Sequence, residues 1–321
     1  MNNNNNDNTG IIRFGWNGMN QISSKEEEVI PPSTFSEIHH KIRDVALGSM
    51  TTIFVTKQGL LFGCGSDLNG ILLGNGKIDK EKKVKVPIQL KLKFKVLKCF
   101  CGATHIGAID FFRNLHTWGC NEFGQLGRLI DIDNKIEYEP EICIKDVPVK
   151  EIALGFSHTI ILLEEGKVMV CGDGKKGQLG LGMEKVLSHE NQKWIEQYIS
   201  TYQPTFMKDF EHLDIVSIAA GDYHSIFLDA QGFVYSCGDN TYGRLGFASK
   251  TFVGKPKKLT VFGSKKHRKV IIDKNDDNDE AKKNANDNND DKKQKDVNNS
   301  NNNDNNNNNS KQYEPNRNAS S

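Results

Sequence analysis

The sequence lacks an excess of either charge, has no long apolar run and contains few cysteines. Its 42 Lys and Arg stand against 41 Asp and Glu, a net charge of +1 over 321 residues. That balance excludes the globally basic surface with which many nucleic-acid binders hold phosphates. No apolar run approaches the roughly 20 residues a membrane-spanning helix needs. The opening MNNNNNDNT has neither the basic region nor the apolar segment of a secretory signal. The seven cysteines include no CxxC pair, so neither a zinc site nor a disulfide framework is indicated. A reducing, intracellular setting is expected, cytoplasmic or nuclear. There is also no phosphate-binding loop, no HExxH and no GxSxG. No catalytic, cofactor or metal residues are therefore assigned, and the chain does not read as an enzyme.

The hydrophobic fraction of 36% is low because the composition is split. Residues 1–10 form an Asn-rich head, and residues 273–321 are rich in Asn, Asp and Lys. The apolar side chains of the latter segment are Ala281, Ala285, Val297, Tyr313 and Ala319. So little apolar surface does not offset the entropy of ordering a chain, so both ends read as disordered. Residues 11–272 remain as one sizeable globular domain.

That domain is repetitive. A turn signature occurs as Gly15-Trp-Asn-Gly-Met-Asn20, Gly65-Ser-Asp-Leu-Asn-Gly70, Gly119-Cys-Asn-Glu-Phe-Gly124, Gly172-Asp-Gly-Lys-Lys-Gly177 and Gly238-Asp-Asn-Thr-Tyr-Gly243. A second signature precedes four of them: Gly48-Ser-Met-Thr51, Gly102-Ala-Thr-His105, Gly155-Phe-Ser-His158 and Gly221-Asp-Tyr-His224. The offset between the two is 17 residues in all four cases, and the repeats follow one another at 54, 53 and 66 residues. Between the signatures, β-branched and aromatic runs flank a turn at Gly59, Arg113-Asn114, Gly166 or Gly232. This pattern predicts β-hairpins. The third and sixth positions of the turn signature hold Asn, Asp or Gly, the types that tolerate positive φ. Gly172–Gly177 spells GxGxxG, but it sits in the turn slot of a repeat and not between a strand and a helix. It reads as a backbone turn.

Repeats of this length, each a few short strands with fixed turn glycines, are propeller blades. Trp118-Gly119 with Gly124-Gln-Leu-Gly127, Gly172 with Gly177-Gln-Leu-Gly180, and the Gly-x-x-His elements resemble the regulator of chromosome condensation repeat family, from about Ile11 to Asp273. The resemblance implies an all-β fold, a β-propeller of about five four-stranded blades. Such a ring is either incomplete or closed by the N- and C-terminal strands, Ile11–Ile22 with Lys269–Asp273; the family's usual ring has seven blades. It implies a non-enzymatic protein-interaction scaffold with a protein partner. The alternatives it implies are guanine nucleotide exchange on a Ras-like small GTPase, or an adaptor for a chromatin protein. Direct nucleic-acid contact is not expected, because the N-terminal arm is uncharged apart from Asp7.

Several side chains stand out from the repeat. His105, His158 and His224 recur in one slot; each belongs to a different blade, so a hydrogen-bonded structural role is expected over metal binding. Cys64, Cys171 and Cys237 share the slot of Trp118 and read as small buried hydrophobes. Lys91, Lys93 and Lys95 alternate with Leu92, Phe94 and Val96, which predicts a strand with one lysine face. That face is either a patch for an acidic partner or an ordinary solvated surface. Lys265, Lys266, Arg268 and Lys269 suggest a nuclear import signal or a basic loop. The longer third interval contains Trp194, Ile195, Tyr198 and Ile199 at helical spacing, predicting a short amphipathic helix with Trp194 and Tyr198 as partner-binding candidates.

Overall fold

The computed structural model describes residues 12–16, 21, 29–34, 38–66, 72, 83–129, 135–187, 194–248 and 251–260. All of them belong to the first of two compact units, Met1–Asn275; the second, Asp276–Ser321, lies outside the described residues. The segment Lys269–Asp273 and the cluster Lys265–Lys269 lie outside them as well.

The architecture is a succession of antiparallel sheets. Strands β1 (Ile12–Trp16) and β2 (Val29–Thr34) pair with each other. The first four-stranded sheet is β3 (Ile42–Leu47), β4 (Thr51–Thr56), β5 (Leu61–Ser66) and β6 (Lys83–Leu90). The second is β7 (Val96–Cys101), β8 (His105–Asp110), β9 (Leu115–Cys120) and β10 (Ile136–Ile144). In the third, β11 (Val149–Leu154), β12 (His158–Leu163) and β13 (Val168–Gly172) are followed by a separate hairpin, β14 (Met183–Leu187) with β15 (Trp194–Tyr198), before β16 (Thr201–Phe206) completes the sheet. The fourth is β17 (Ile215–Ala220), β18 (His224–Asp229), β19 (Val234–Asp239) and β20 (Phe252–Lys258). Each sheet is a meander in sequence order, the blade of a β-propeller.

The core lies between sheets. One cluster joins Ile53, Val55 and Leu61 of the first sheet to Ile106, Ala108 and Trp118 of the second. Another joins Ile109 and Leu115 to Val149, Ile152 and Ile161, and a third joins Ile160, Val170 and Leu179 to Ile215, Ile218 and Phe227. This explains why the middles of β4, β8 and β12 (Ile53–Val55, Ile106–Ile109 and Ile160–Leu163) hold consecutive residues without a charge and do not alternate. Both faces of each are covered, and all six residues of each are buried. Burying one Ile or Leu side chain is worth about 1.5–3 kcal/mol, so these inner strands anchor the fold.

The first glycine of the turn signature answers to geometry. Gly172 has φ +108°, and a Cβ there would lie 2.4 Å from Ser157 O; Gly65, Gly119 and Gly238 repeat that conformation. The third position, expected to carry positive φ, does something else. Asn240 sits at φ −103°. Its Oδ1 accepts from Leu245 N (3.0 Å) and its Nδ2 donates to Phe247 O (3.1 Å). Asn121 repeats the clamp, with Leu126 N at 2.8 Å and Arg128 O at 3.1 Å. The asparagine is kept for its side chain, which ties down the Gln/Arg-Leu-Gly turn. Gly174 is the exception, because Ile199 O would lie 1.8 Å from a Cβ there.

The recurring histidines are inter-sheet ties. His105 Nε2 lies 2.9 Å from Thr159 Oγ1, and Thr159 Oγ1 donates to Gln125 O at 2.7 Å. His158 Nε2 lies 3.2 Å from Ser225 Oγ, which donates to Gln178 O at 2.6 Å. Each hydroxyl has committed its proton to a carbonyl, so it accepts from the histidine. Both rings therefore carry hydrogen on Nε2, and their burial keeps them neutral. Cys171 and Cys237 contribute weaker contacts to the same Gln125 and Gln178 carbonyls, and Cys64 reaches Gln21 O at 3.3 Å. Burial pushes the Cys171 and Cys237 thiols well above the ordinary range, so they stay protonated and inert.

Two expectations about local structure are corrected. Trp194–Tyr198 is a strand paired with Met183–Leu187, not a helix. The Trp-Ile-Glu-Gln-Tyr segment is rich in residues that favour strands, and pairing within the insertion satisfies its backbone. Residues 91–95 form no strand either; they are the connector between β6 and β7. The alternation of exposure nonetheless holds, with the three lysines exposed, Leu92 and Phe94 half-buried and Val96 buried. An extended connector lying on a core has the same two-residue period as a strand.

Candidate functional site

The connector between the first and second sheets shapes the most distinctive surface among the described residues. After β6 the chain turns tightly, Leu92 N donating to Leu90 O at 3.1 Å, and it is fastened further on by Val96 N to Gly59 O at 3.0 Å. Between these two points, Lys91, Lys93 and Lys95 face outward. No hydrogen bond or ion pair engages their ammonium groups among the described residues. Phe94 turns inward and stacks on His116 with ring centroids 3.6 Å apart.

His116 is held in turn by Asp110, Nε2 to Oδ2 at 2.9 Å. Asp110 also accepts from Asn114 Nδ2 at 3.0 Å, from Phe112 N at 2.8 Å and from Asn114 N at 3.0 Å. Burial opposes the charge of Asp110, but these hydrogen bonds, His116 first, outweigh it and leave the carboxyl below its ordinary range. The result is a fixed turn at the end of β8, with Arg113 at φ +68°. It presents Phe111 at 49% exposure and Phe112 at 84%. The corresponding turns elsewhere carry Lys57-Gln58, Glu164-Glu165 and Ala230-Gln231. The aromatic pair is thus peculiar to the second sheet. Two phenylalanines in a turn slot that elsewhere holds no aromatic residue are the sequence signal that the repeat pattern obscured.

A cavity of about 560 Å³ lies between this turn and the connector, lined by Leu60, Leu92, Phe94, Lys95, Phe111 and Phe112 among others. A second, of about 480 Å³, lies across the connector against Ile88, Trp118, Tyr138 and Glu139. Leu92, Lys93 and Phe94 line both. Arg43 places its guanidinium 4.9 Å from the Phe111 centroid and donates to Lys57 O at 2.7 Å. The arrangement is an apolar cleft with cations around its mouth. Among the described residues, no three His, Cys, Asp or Glu side chains gather where they could hold a metal ion. No described helix is long and apolar enough to cross a membrane.

The other candidates lie elsewhere. Tyr198 donates its hydroxyl to Phe252 O at 3.4 Å and sets its ring edge-on to Phe252, so it fastens the β14–β15 hairpin to β20. Trp194 pairs with Leu187 in the backbone register of the hairpin. Among the described residues, no hydrogen bond or ring contact joins Tyr198 to the lysines of the connector. Lys265, Lys266, Arg268 and Lys269 lie outside the described residues.

The model of the regulator of chromosome condensation (RCC1) repeat matches residues 114–162, 165–228 and 231–271, and a second model of the repeat matches 149–178 and 215–244. The serine/threonine-protein kinase Nek9 of Xenopus laevis is 29% identical over 211 residues, covering 64% of this chain and 22% of that protein. The probable E3 ubiquitin-protein ligase HERC4 of Homo sapiens is 26% identical over 304 residues, covering 78% of this chain and 27% of that protein. The chain thus spans under a third of the length of these curated relatives. Among solved structures, human WBSCR16 superposes with a TM-score of 0.65 at 21% identity, over 77% of this chain and 66% of that one. Yeast RCC1 (Prp20), solved with Kap60, gives 0.63 at 22% identity, over 79% and 62%.

Proposed function

Because this chain belongs to the regulator of chromosome condensation repeat family and folds as its β-propeller, we propose that it is a non-enzymatic scaffold that engages a protein partner. The observation that carries this reading is the cleft between the first and second sheets. A 560 Å³ cavity with an aromatic lip and two unengaged lysines, Lys93 and Lys95, with Lys91 in the adjoining cavity, is a surface suited to recognition. Its parts stand on a rigid frame, since Asp110 fixes the aromatic turn and Val96 fixes the connector.

The test is cross-linking from position 112. A photoreactive phenylalanine analogue replaces Phe112, with and without Lys91, Lys93 and Lys95 changed to Glu. The expected result is a discrete adduct in cell extract that the lysine changes abolish while thermal stability is retained. Identical adduct patterns with and without the lysines would sink the reading. The Prp20 structure is described with that protein's binding to Gsp1p and to histones. An exchange-factor or chromatin role for this chain rests on the family alone, whereas the scaffold role has the cleft in its support.

A further inference from the structure

We propose, resting on the scaffold reading, that the cleft takes an extended acidic peptide segment carrying one bulky apolar side chain. The apolar side chain enters between Leu60, Leu92, Phe94 and Phe111, and the flanking carboxylates meet Lys91, Lys93 and Lys95.

The charge of the cleft sets the sign. Three ammonium groups stand on alternate residues of an extended connector, so successive lysines lie on one side of the backbone. None has a partner among the described residues. Arg43 adds a fourth cation at the rim, over Phe111. The one carboxylate lining the larger cavity is Asp110. Its oxygens already accept from His116, Asn114 and Phe112 N, so it does not neutralise the lysines. The same face of the third sheet carries Glu164 and Glu165 in the corresponding turn, with Glu164 paired to Arg113 at 3.2 Å. The corresponding turn of the third sheet is therefore acidic where the cleft is cationic.

The apolar floor sets the anchor. Leu92 and Phe94 are only half-buried, and the cavity they line is of the size that takes one large side chain with its backbone. Phe94 cannot turn aside to fill the space, because it is stacked on His116 and His116 is held by Asp110. Phe112 stands open at the lip and can close over an inserted side chain.

A single-stranded nucleic acid also suits lysines and aromatics, but one feature favours a peptide. Arg43 already covers one face of Phe111, which removes a base-stacking surface.

The experiment is fluorescence anisotropy with full-length protein and four labelled probes: a short Asp/Glu peptide with a central Trp, the same peptide with Ala for Trp, a Lys version of the Trp peptide, and an oligothymidylate of equal length. The protein is wild type, the Lys91→Glu/Lys93→Glu/Lys95→Glu variant, or Phe112→Ala. All four side chains are exposed, and thermal melting verifies each fold. The acidic Trp peptide is expected to bind, to weaken as salt is raised, and to lose about tenfold or more in affinity in the lysine variant. Phe112→Ala and the Ala peptide are each expected to weaken binding by about five- to tenfold. The Lys peptide is expected not to bind. The inference is overturned by equal binding to wild type and lysine variant, by no dependence on Trp, or by tighter binding of oligothymidylate. Failure here and failure of the scaffold reading are separable. A lysine-dependent adduct from position 112 that excess acidic peptide does not compete away retains the scaffold and removes the acidic segment. Peptide binding without any adduct does the reverse.

Discussion

At the scale of the residue, His105 and His158 show how one hydrogen-bond direction and burial together fix a protonation state. Thr159 and Ser225 give their protons to the carbonyls of Gln125 and Gln178, which leaves each hydroxyl as an acceptor and each ring with its hydrogen on Nε2. Nδ1 of both rings is buried without a partner. A second proton would place a charge in an apolar interior with nothing to accept its hydrogen. Burial accordingly lowers both pKa values to about 3, with the neighbouring histidines adding to the effect at His158. The consequence for stability has a definite sign. The folded pKa lies below the ordinary value of 6.5, so the unfolded chain binds more protons once pH falls under 6.5. Stability is complete above that pH and drains away between about 6.5 and about 3, at about 1.4 kcal/mol per pH unit for each histidine. His158→Gln removes one titrating group and keeps a side chain able to donate to Ser225. Denaturant unfolding from pH 7 to pH 4 is expected to show a slope shallower by about one proton in this variant. Parallel slopes would mean that His158 is not buried neutral.

At the scale of the element, the turn clamp decides whether a blade keeps its outer connection. Asn121 satisfies Leu126 N and Arg128 O, which otherwise lie near or within the buried Gln125-Leu126 turn. Asn121→Ala leaves those groups without their partner, at a cost of about 1–3 kcal/mol. Asn121→Asp keeps the acceptor for Leu126 N but sets a carboxylate oxygen against Arg128 O, so chemical denaturation should find it well below wild type. An Asp variant as stable as wild type would mean that the donation to Arg128 O does not hold the turn. The clamp also shows what was legible from sequence. The hairpins β4–β5, β12–β13 and β18–β19 could be read because β-branched runs flank a glycine turn. The clamping asparagine was visible as a type, but Asn tolerates positive φ and also offers a side-chain amide, and its type alone did not separate these roles. Trp194, Ile195, Tyr198 and Ile199 misled for a related reason. Four apolar residues at those spacings satisfy a helical period, while the strand that pairs with them, Met183–Leu187, lies several residues away and carries no alternation to announce it. The cleft was half visible: its lysines stood out by charge, but Phe111 and Phe112 gained meaning only when the fold set them beside the connector.

At the scale of the whole molecule, the ties between sheets are uneven. His105 links the second sheet to the third and His158 links the third to the fourth. Between the first and second, Thr51 stands in the histidine slot and Ile106 in the hydroxyl slot, so both halves of the couple are missing together and apolar packing serves instead. On the far flank of the fourth sheet, His224 has the histidine but no hydrogen-bonded hydroxyl among the described residues, and its Nδ1 is unpartnered. The inner strand there differs accordingly. In β18 the residues His224, Ile226 and Leu228 are only half-buried, whereas β12 is buried throughout. The two strands have equivalent backbone pairing, each hydrogen-bonded to a strand on both sides. A difference in their exchange would therefore report the covering of the sheet face and not the ladder. Local opening is governed by buried apolar contact, so amide exchange followed by mass spectrometry should find β18 exchanging before β12, with β8 as slow as β12. Replacing Ile226 by Ala should speed β18 alone, because the two core clusters inboard of the third sheet do not include it. Equal protection of β12 and β18 would mean that the flank of the fourth sheet is covered as fully as the interior boundaries, and that its half-exposed face is not a weak point of the fold.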